Sequence, residues 1–369
     1  MELKTLLQQV QEYSSQDAAE YFREYHERVA DISDPWAERV ITWLEEYCSR
    51  SGKALRPLLV GVGAAMSQQI PLAEVWQQAS VRKLMLAVEL NHKRLLMADD
   101  VADQDELRHG APSLHVFIEQ ELRKMPHYAT VSDEVLTHLA RSFTEVAGLW
   151  LQEMITDILM SLEVTDSERQ TINSIFRHHT FDMTATGWFT LLDQNFLSLA
   201  DADEATFLEG LRLQTGEYTF VSPLLLGAAL GEKYQELKPV YTEYGQQAGV
   251  LFQITDDIIG LFGDPKETGK PVGNDLREGK KTLLVQYAYQ ALQGEDRSQL
   301  SLLLGKQNIS AAEVRWVQSQ VKNIGAEDKT RQKAADYLQK AHHSLQGITE
   351  TNERLLLEHI AQFILHRTQ

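Results

Sequence analysis

Apolar residues recur every three or four positions along almost the whole chain, and runs of alternating β-branched residues are nearly absent. That spacing puts the apolar side chains on one face of successive α-helices. Polar interruptions fall near Ser51–Gly52, Ser67–Pro71, Gly110–Pro112, Lys124–Ser132, Glu163–Ser167, Leu199–Glu204, Gly231–Pro239 and Gly263–Gly273. Each predicts a helix boundary, and Pro57, Pro71, Pro112, Pro126, Pro265 and Pro271 reinforce several of them. The connections are short, with no Pro/Ser-rich linker, repeat or low-complexity tract. The pattern predicts an all-α fold of roughly ten or more helices: one domain over residues 51–369, preceded by a peripheral N-terminal helical hairpin over 1–50.

Composition narrows the function. The chain has 369 residues, is 43% hydrophobic and carries a net charge of −18, which suits a large packed core. No basic tract interrupts the acidic balance, so nucleic acid is not an expected partner. The single cysteine, Cys48, excludes an internal disulfide and fits a reducing, cytoplasmic setting. The N-terminal stretch lacks the apolar core of a signal peptide. The longest apolar stretch, Phe220 to Leu230, holds Ser222 and Pro223 and is too short for a transmembrane segment. His178–His179 and His342–His343 have no second ligand set, so zinc is not expected.

Two acidic clusters stand out. Asp99, Asp100 and Asp103 follow Leu95–Leu96–Met97, and Arg108, Gly110 and Pro112 come next. On a helix Asp99 and Asp103 share a face, and like charges at that spacing repel. A hard divalent cation with oxygen ligands, Mg²⁺ above all, offsets that repulsion. The second pair, Asp256–Asp257, lies in an apolar run from Gly249 to Ile259. A glycine-rich loop follows with Lys270, Asp275, Lys280 and Lys281, a composition suited to closing over phosphate. A third basic element, Gly52-Lys53-Ala54-Leu55-Arg56-Pro57, opens a helix, where backbone N–H groups favour anions.

Taken in order, these elements resemble the trans-isoprenyl diphosphate synthase (polyprenyl synthetase) family. GKALRP resembles its GKxxRP motif. ELNHKRLLMADDVADQDELRHGAPSLH resembles its first aspartate-rich region. TGEYTFVSP resembles its KTxxYxFxxP segment, and GVLFQITDDIIGLFGDPKETGKPVGNDLREGKKTLL its second aspartate-rich region. HIAQFILHRTQ is similar to the family's closing helix, which ends in basic residues. The resemblance implies a helical bundle around a deep central cavity and a Mg²⁺-dependent prenyltransferase, with Mn²⁺ as a possible substitute. Such an enzyme condenses isopentenyl diphosphate with an allylic diphosphate (dimethylallyl, geranyl or farnesyl). It also implies a homodimer.

Carried over by position, Asp99, Asp103 and Asp256 would be metal ligands, supported by Asp100 and Asp257. Lys270 and Arg108 would hold the allylic diphosphate. Lys53, Arg56 and His92 would hold isopentenyl diphosphate, and Lys280 would contact substrate. Thr215 and Gln253 would lie beside the developing cation. Four departures from the pattern stand out. His109 replaces the family's second arginine, Gln214 a lysine, and Gly260 the third aspartate of the second motif. Lys93 and Arg94 stand where small or aromatic residues are usual, and could compensate for lost cations. Arg94 and Leu95 would form the floor of the product tunnel, which implies short-chain products, C15–C20: farnesyl or geranylgeranyl diphosphate. Alternatives are a catalytically weak partner subunit of a heteromeric synthase and a class I terpene cyclase. The cyclase's usual second motif is missing, because Glu278 and Thr282 hold its positions.

Overall fold

The computed structural model describes residues 3–50, 52–108, 110–263, 272–349 and 351–367. Helix dominates it. Among the described residues the only strands are Leu107–Arg108 and Ala111–Pro112, which pair antiparallel. The all-α expectation holds. The chain divides into two compact units, Met1–Ala65 with Gln69–Arg169, and Met66–Gln68 with Gln170–Gln369.

The first unit contains α1 (Leu3–Val29), α2 (Pro35–Ser49), most of α3 (Leu55–Gln68), α4 (Leu72–Val75), α5 (Ala79–Asp103), α6 (Leu114–Arg123) and α7 (Asp133–Met160). The Asp34 side chain caps α2 by accepting from Trp36 N, and Pro35 occupies the first turn, where its missing N–H costs nothing. The long helix α5 packs against α1, α6 and α7. It buries Leu84, Met85, Leu86, Ala87, Val88 and Leu90. Gln104 ends it in the left-handed region at φ 56, with its N–H on the Asp100 carbonyl. The chain then reverses through a hairpin whose turn uses Gly110 at φ 77. That reversal brings Arg108 back over the end of α5.

The second unit is built on α12 (Tyr234–Phe262), which packs against residues 212–221 and against the later helices Ala326–Ser344 and Asn352–His366. The break expected over Gly231–Pro239 is shorter than its sequence. Helix α12 begins at Tyr234 and takes Pro239 into its second turn. Before it come α8 (Asp166–Ile175), α9 (Thr184–Phe196), α10 (Glu204–Leu211) and α11 (Ser222–Ala228). Helix α13 (Asn274–Glu278) follows α12.

Two stretches in this unit were not anticipated. Phe176–Met183 and Arg212–Val221 wind as π-helix. The Ser222 N–H reaches back five residues to Glu217 O. The Glu217 carboxylate is fully buried and takes three partners: His179 Nδ1 at 2.8 Å, Arg212 Nη1 at 3.1 Å and Gln246 Nε2 at 2.8 Å. A buried carboxylate satisfied this way can hold the extra residue of a π turn, a feature frequent at functional sites. Among the described residues no helix is long and apolar enough to cross a membrane.

Candidate active site

In the first unit, α5 carries Asp99, Asp100 and Asp103 in its last two turns. Asp100 is fully buried and Asp99 is half-buried. The Arg108 guanidinium bonds the Asp100 carboxylate, donates to Asp99 at 3.1 Å and to Asp105 at 3.3 Å. The Tyr47 hydroxyl, from α2, donates to Asp100 Oδ2 at 3.3 Å. Burial pushes the Asp100 carboxyl up to about 6, and the pull of Arg108 only partly offsets it. Burial also opposes the Arg108 charge, but Asp100 and Asp99 outweigh it and leave the guanidinium more firmly protonated than usual. The pair is therefore charged at neutral pH.

The basic element of this unit starts α3. Lys53 is exposed and Arg56 is buried. Between them Ala54 sits in the left-handed region at φ 51, a conformation that costs a non-glycine residue about 1 kcal/mol. His92 lies on α5, half-buried, seven residues before Asp99. Lys93 does not add a cation to the acidic cluster. Its ammonium is buried and donates to the Arg50 carbonyl. Arg50 itself bonds Glu46 and the Pro112 carbonyl, so Lys93 ties down the approach to the basic element. Arg94 folds back along its own helix and donates to Asn91 Oδ1 at 3.0 Å, and burial lowers its pKa.

In the second unit, close backbone contact builds the site. A Cβ on Gly249 would lie 2.2 Å from the Gly216 Cα, so only glycine lets α12 approach the π segment this closely. The approach puts Thr215 Oγ1 3.2 Å from Gln253 Oε1. Gln253 Nε2 donates to Asp257 Oδ1 at 3.1 Å, completing a relay from Thr215 through Gln253 to Asp257. Asp257 is buried, and its other oxygen, Oδ2, has no hydrogen-bond partner among the described residues. Burial first, and the nearby Asp275 charge second, raise the Asp257 pKa well above the carboxylate range. Asp256 is 40% exposed, and Arg367 Nη2 donates to its Oδ1 at 2.6 Å. Gln214 is half-buried in the same π segment as Thr215. The Lys280 ammonium pairs with Glu278 at 2.5 Å and lies 4.0 Å from Asp275.

Gly260 now has a physical account. A Cβ there would meet Asp275 Oδ2 at 2.5 Å. The carboxylate missing at 260 leaves room for the one at 275, which lies beside Asp257. Both clusters offer oxygen donors only, the set that hard divalent cations select. The buried, unpartnered Asp257 Oδ2 is a group that a cation would satisfy.

The first unit thus brings together Asp99, Asp100 and Arg108, and carries Asp103, Lys53, Arg56 and His92. The second brings together Thr215, Gln253 and Asp257, and carries Asp256, Gln214 and Lys280. Lys270 and His109 lie outside the described residues. Sequence reasoning missed Tyr47 and Asp105, and it named Asp275 and the basic end that holds Arg367 without pairing them with Asp257 and Asp256. Asp105 was visible two residues past Asp103. Tyr47 gave no local signal, and nothing near Arg367 pointed to Asp256.

Comparison with known proteins shows the family and the fold. The polyprenyl synthetase family model matches residues 37–321. The geranylfarnesyl diphosphate synthase of Aeropyrum pernix is 29% identical over 320 residues, covering 86% of this chain and 91% of that protein. The geranylgeranyl diphosphate synthase of Sulfolobus acidocaldarius is 26% identical over 353 residues, covering 94% and 98%. The crystal structure of geranylgeranyl pyrophosphate synthase from Corynebacterium glutamicum, complexed with isoprenyl diphosphate and magnesium, shares the fold. It matches with a TM-score of 0.87 over 100% of both chains, at 23% identity. The chain belongs to the polyprenyl synthetase family and is a polyprenyl diphosphate synthase, a prenyl-transferring enzyme.

Proposed function

We propose that this enzyme condenses isopentenyl diphosphate with an allylic diphosphate to give a short-chain product, farnesyl or geranylgeranyl diphosphate. The reaction breaks the allylic C–O bond, releasing diphosphate and leaving an allylic cation. The double bond of isopentenyl diphosphate attacks that cation, and loss of a proton restores a double bond. Mg²⁺, when bound, neutralises the departing diphosphate and polarises its oxygens. Asp99, Asp103 and Asp256 would hold the metal, with Asp100 and Asp257 behind them. Arg108 orients Asp99 and Asp100; with Lys270 and Lys280 it offers charge to the allylic diphosphate. Lys53, Arg56 and His92 take isopentenyl diphosphate, with His109 as a weaker contact there and Gln214 as a weaker contact to the allylic diphosphate. The Thr215 hydroxyl donates a hydrogen bond to Gln253, which leaves its lone pairs to favour positive charge nearby. An apolar surround would keep water from the cation.

The observation that carries this reading is the oxygen-rich relay Thr215–Gln253–Asp257, which ends in a buried carboxylate oxygen that lacks a donor. A homodimer in the cytoplasm completes the proposal. In support, α9 leaves Phe189 72% and Phe196 90% exposed, with Leu192 between them, and α7 exposes Val146 and Leu149. Apolar faces of that kind mark interaction surfaces. Incubating the purified chain with labelled isopentenyl diphosphate, geranyl diphosphate and Mg²⁺ tests the proposal. Chromatography should show labelled farnesyl and geranylgeranyl diphosphate. Labelled cyclic hydrocarbons, chains of thirty carbons or more, or incorporation only after another synthase is added would overturn it.

A further inference from the structure

We infer that Arg367 is a positioning residue for Asp256. Its guanidinium makes two hydrogen bonds through one nitrogen and stacks on a ring, while the buried Nε has no hydrogen-bond partner among the described residues. Nη2 donates to the Phe252 carbonyl at 2.8 Å and to Asp256 Oδ1 at 2.6 Å, and the planar group lies over the Phe252 ring with its Cζ 3.8 Å from the centroid. The side chain is 3% exposed, so it is a buried cation whose charge is balanced by one carboxylate. Phe252 and Asp256 are one turn apart on α12, which gives Arg367 a rigid platform and a target on the same face. The held oxygen is Oδ1. No side chain among the described residues takes Oδ2, and Asp256 is 40% exposed, so that oxygen stays open.

The geometry separates positioning from competition. A placeholder that gave way to a metal would need a path into water, and the Arg367 side chain is 3% exposed. Arg367 uses one oxygen, and removing Asp256 from it would leave a buried charge unbalanced. Carboxylates that bind metals are commonly fixed in this way by a second hydrogen-bonded group. The inference rests on Asp256 being a metal ligand.

Mn²⁺ binding followed by electron paramagnetic resonance, with inorganic pyrophosphate and no turnover, tests it. The Arg367→Met variant should bind Mn²⁺ about 10- to 100-fold more weakly. Arg367→Lys, which keeps the charge but loses the stacked plane, should recover part of that loss. Circular dichroism checks that each variant is folded; if Arg367→Met is not, Phe252→Leu replaces it with the same expected direction. Unchanged or tighter Mn²⁺ binding in a folded Arg367→Met would overturn the inference while leaving Asp256 a ligand. Unchanged binding in Asp256→Asn would overturn the ligand role and the inference together.

Discussion

Asp100 and Asp256 are both held by one arginine, yet their surroundings differ. Asp100 is fully buried on α5, and Arg108 bridges it to Asp99 and Asp105 while Tyr47 adds a further hydrogen bond. Asp256 is 40% exposed, and one guanidinium nitrogen holds one of its oxygens. The first cluster is closed by its own hairpin, eight residues on. The second is held from 111 residues away, by the last described residue of the chain. A closed cluster depends on its arginine for folding, because an unbalanced buried carboxylate is costly. An open one depends on its arginine for aim.

The comparison can be broken at several points. The largest effect belongs to the carboxylates. Asp99→Ala and Asp103→Ala should each lower turnover by about a thousandfold or more without unfolding the protein. Near-normal rates in a folded Asp99→Ala would remove the first cluster from the chemistry. Arg108→Met comes next. It should destabilise the protein by about 3–5 kcal/mol, because Asp100 is left buried without its partner. Arg367→Met should cost only about 1 kcal/mol, since water screens Asp256. Urea unfolding of the two variants measures the difference; equal losses would erase the distinction between closed and open.

Gly260→Asp sharpens the second cluster. Restoring the family's aspartate should lower activity, because the new side chain enters space held by the Asp275 carboxylate and adds a like charge. A rise in kcat/KM would show that Asp275 has not taken that place. The smallest effect lies far from either cluster. Burial opposes protonation of His26, but hydrogen bonds to Glu38 and Glu45 prevail and raise its pKa. A histidine raised in the folded state stabilises below its unfolded pKa and loses that contribution as pH rises through the folded one. His26→Gln should therefore destabilise at pH 6, by under about 1 kcal/mol, and have no effect at pH 9. A constant difference across that range would mean packing, not charge.

What the chain reveals of itself follows sequence distance. Helices and their breaks rest on periodicity within a few residues, and they were legible. So was the grouping of Asp99, Asp100 and Arg108, which one helix end and one hairpin bring together. Tyr47 meets Asp100 across 53 positions and Arg367 meets Asp256 across 111, and no local pattern announces either pairing. The π segments were hidden for a related reason. Within them Glu217 bonds His179, Arg212 and Gln246, and two of these come from other elements. Gly260 read as a loss until its neighbour Asp275 was in place. Lys93 read as a substitute cation, but tertiary packing assigned it to a backbone carbonyl instead.

The most direct test of the account is the anomalous signal of Mn²⁺ in crystals grown with inorganic pyrophosphate. The account expects peaks about 2.1 Å from the carboxylates of Asp99, Asp103 and Asp256, with Arg108 still on Asp100 and Arg367 still on Asp256. A peak at neither cluster, in crystals that hold pyrophosphate, would contradict it.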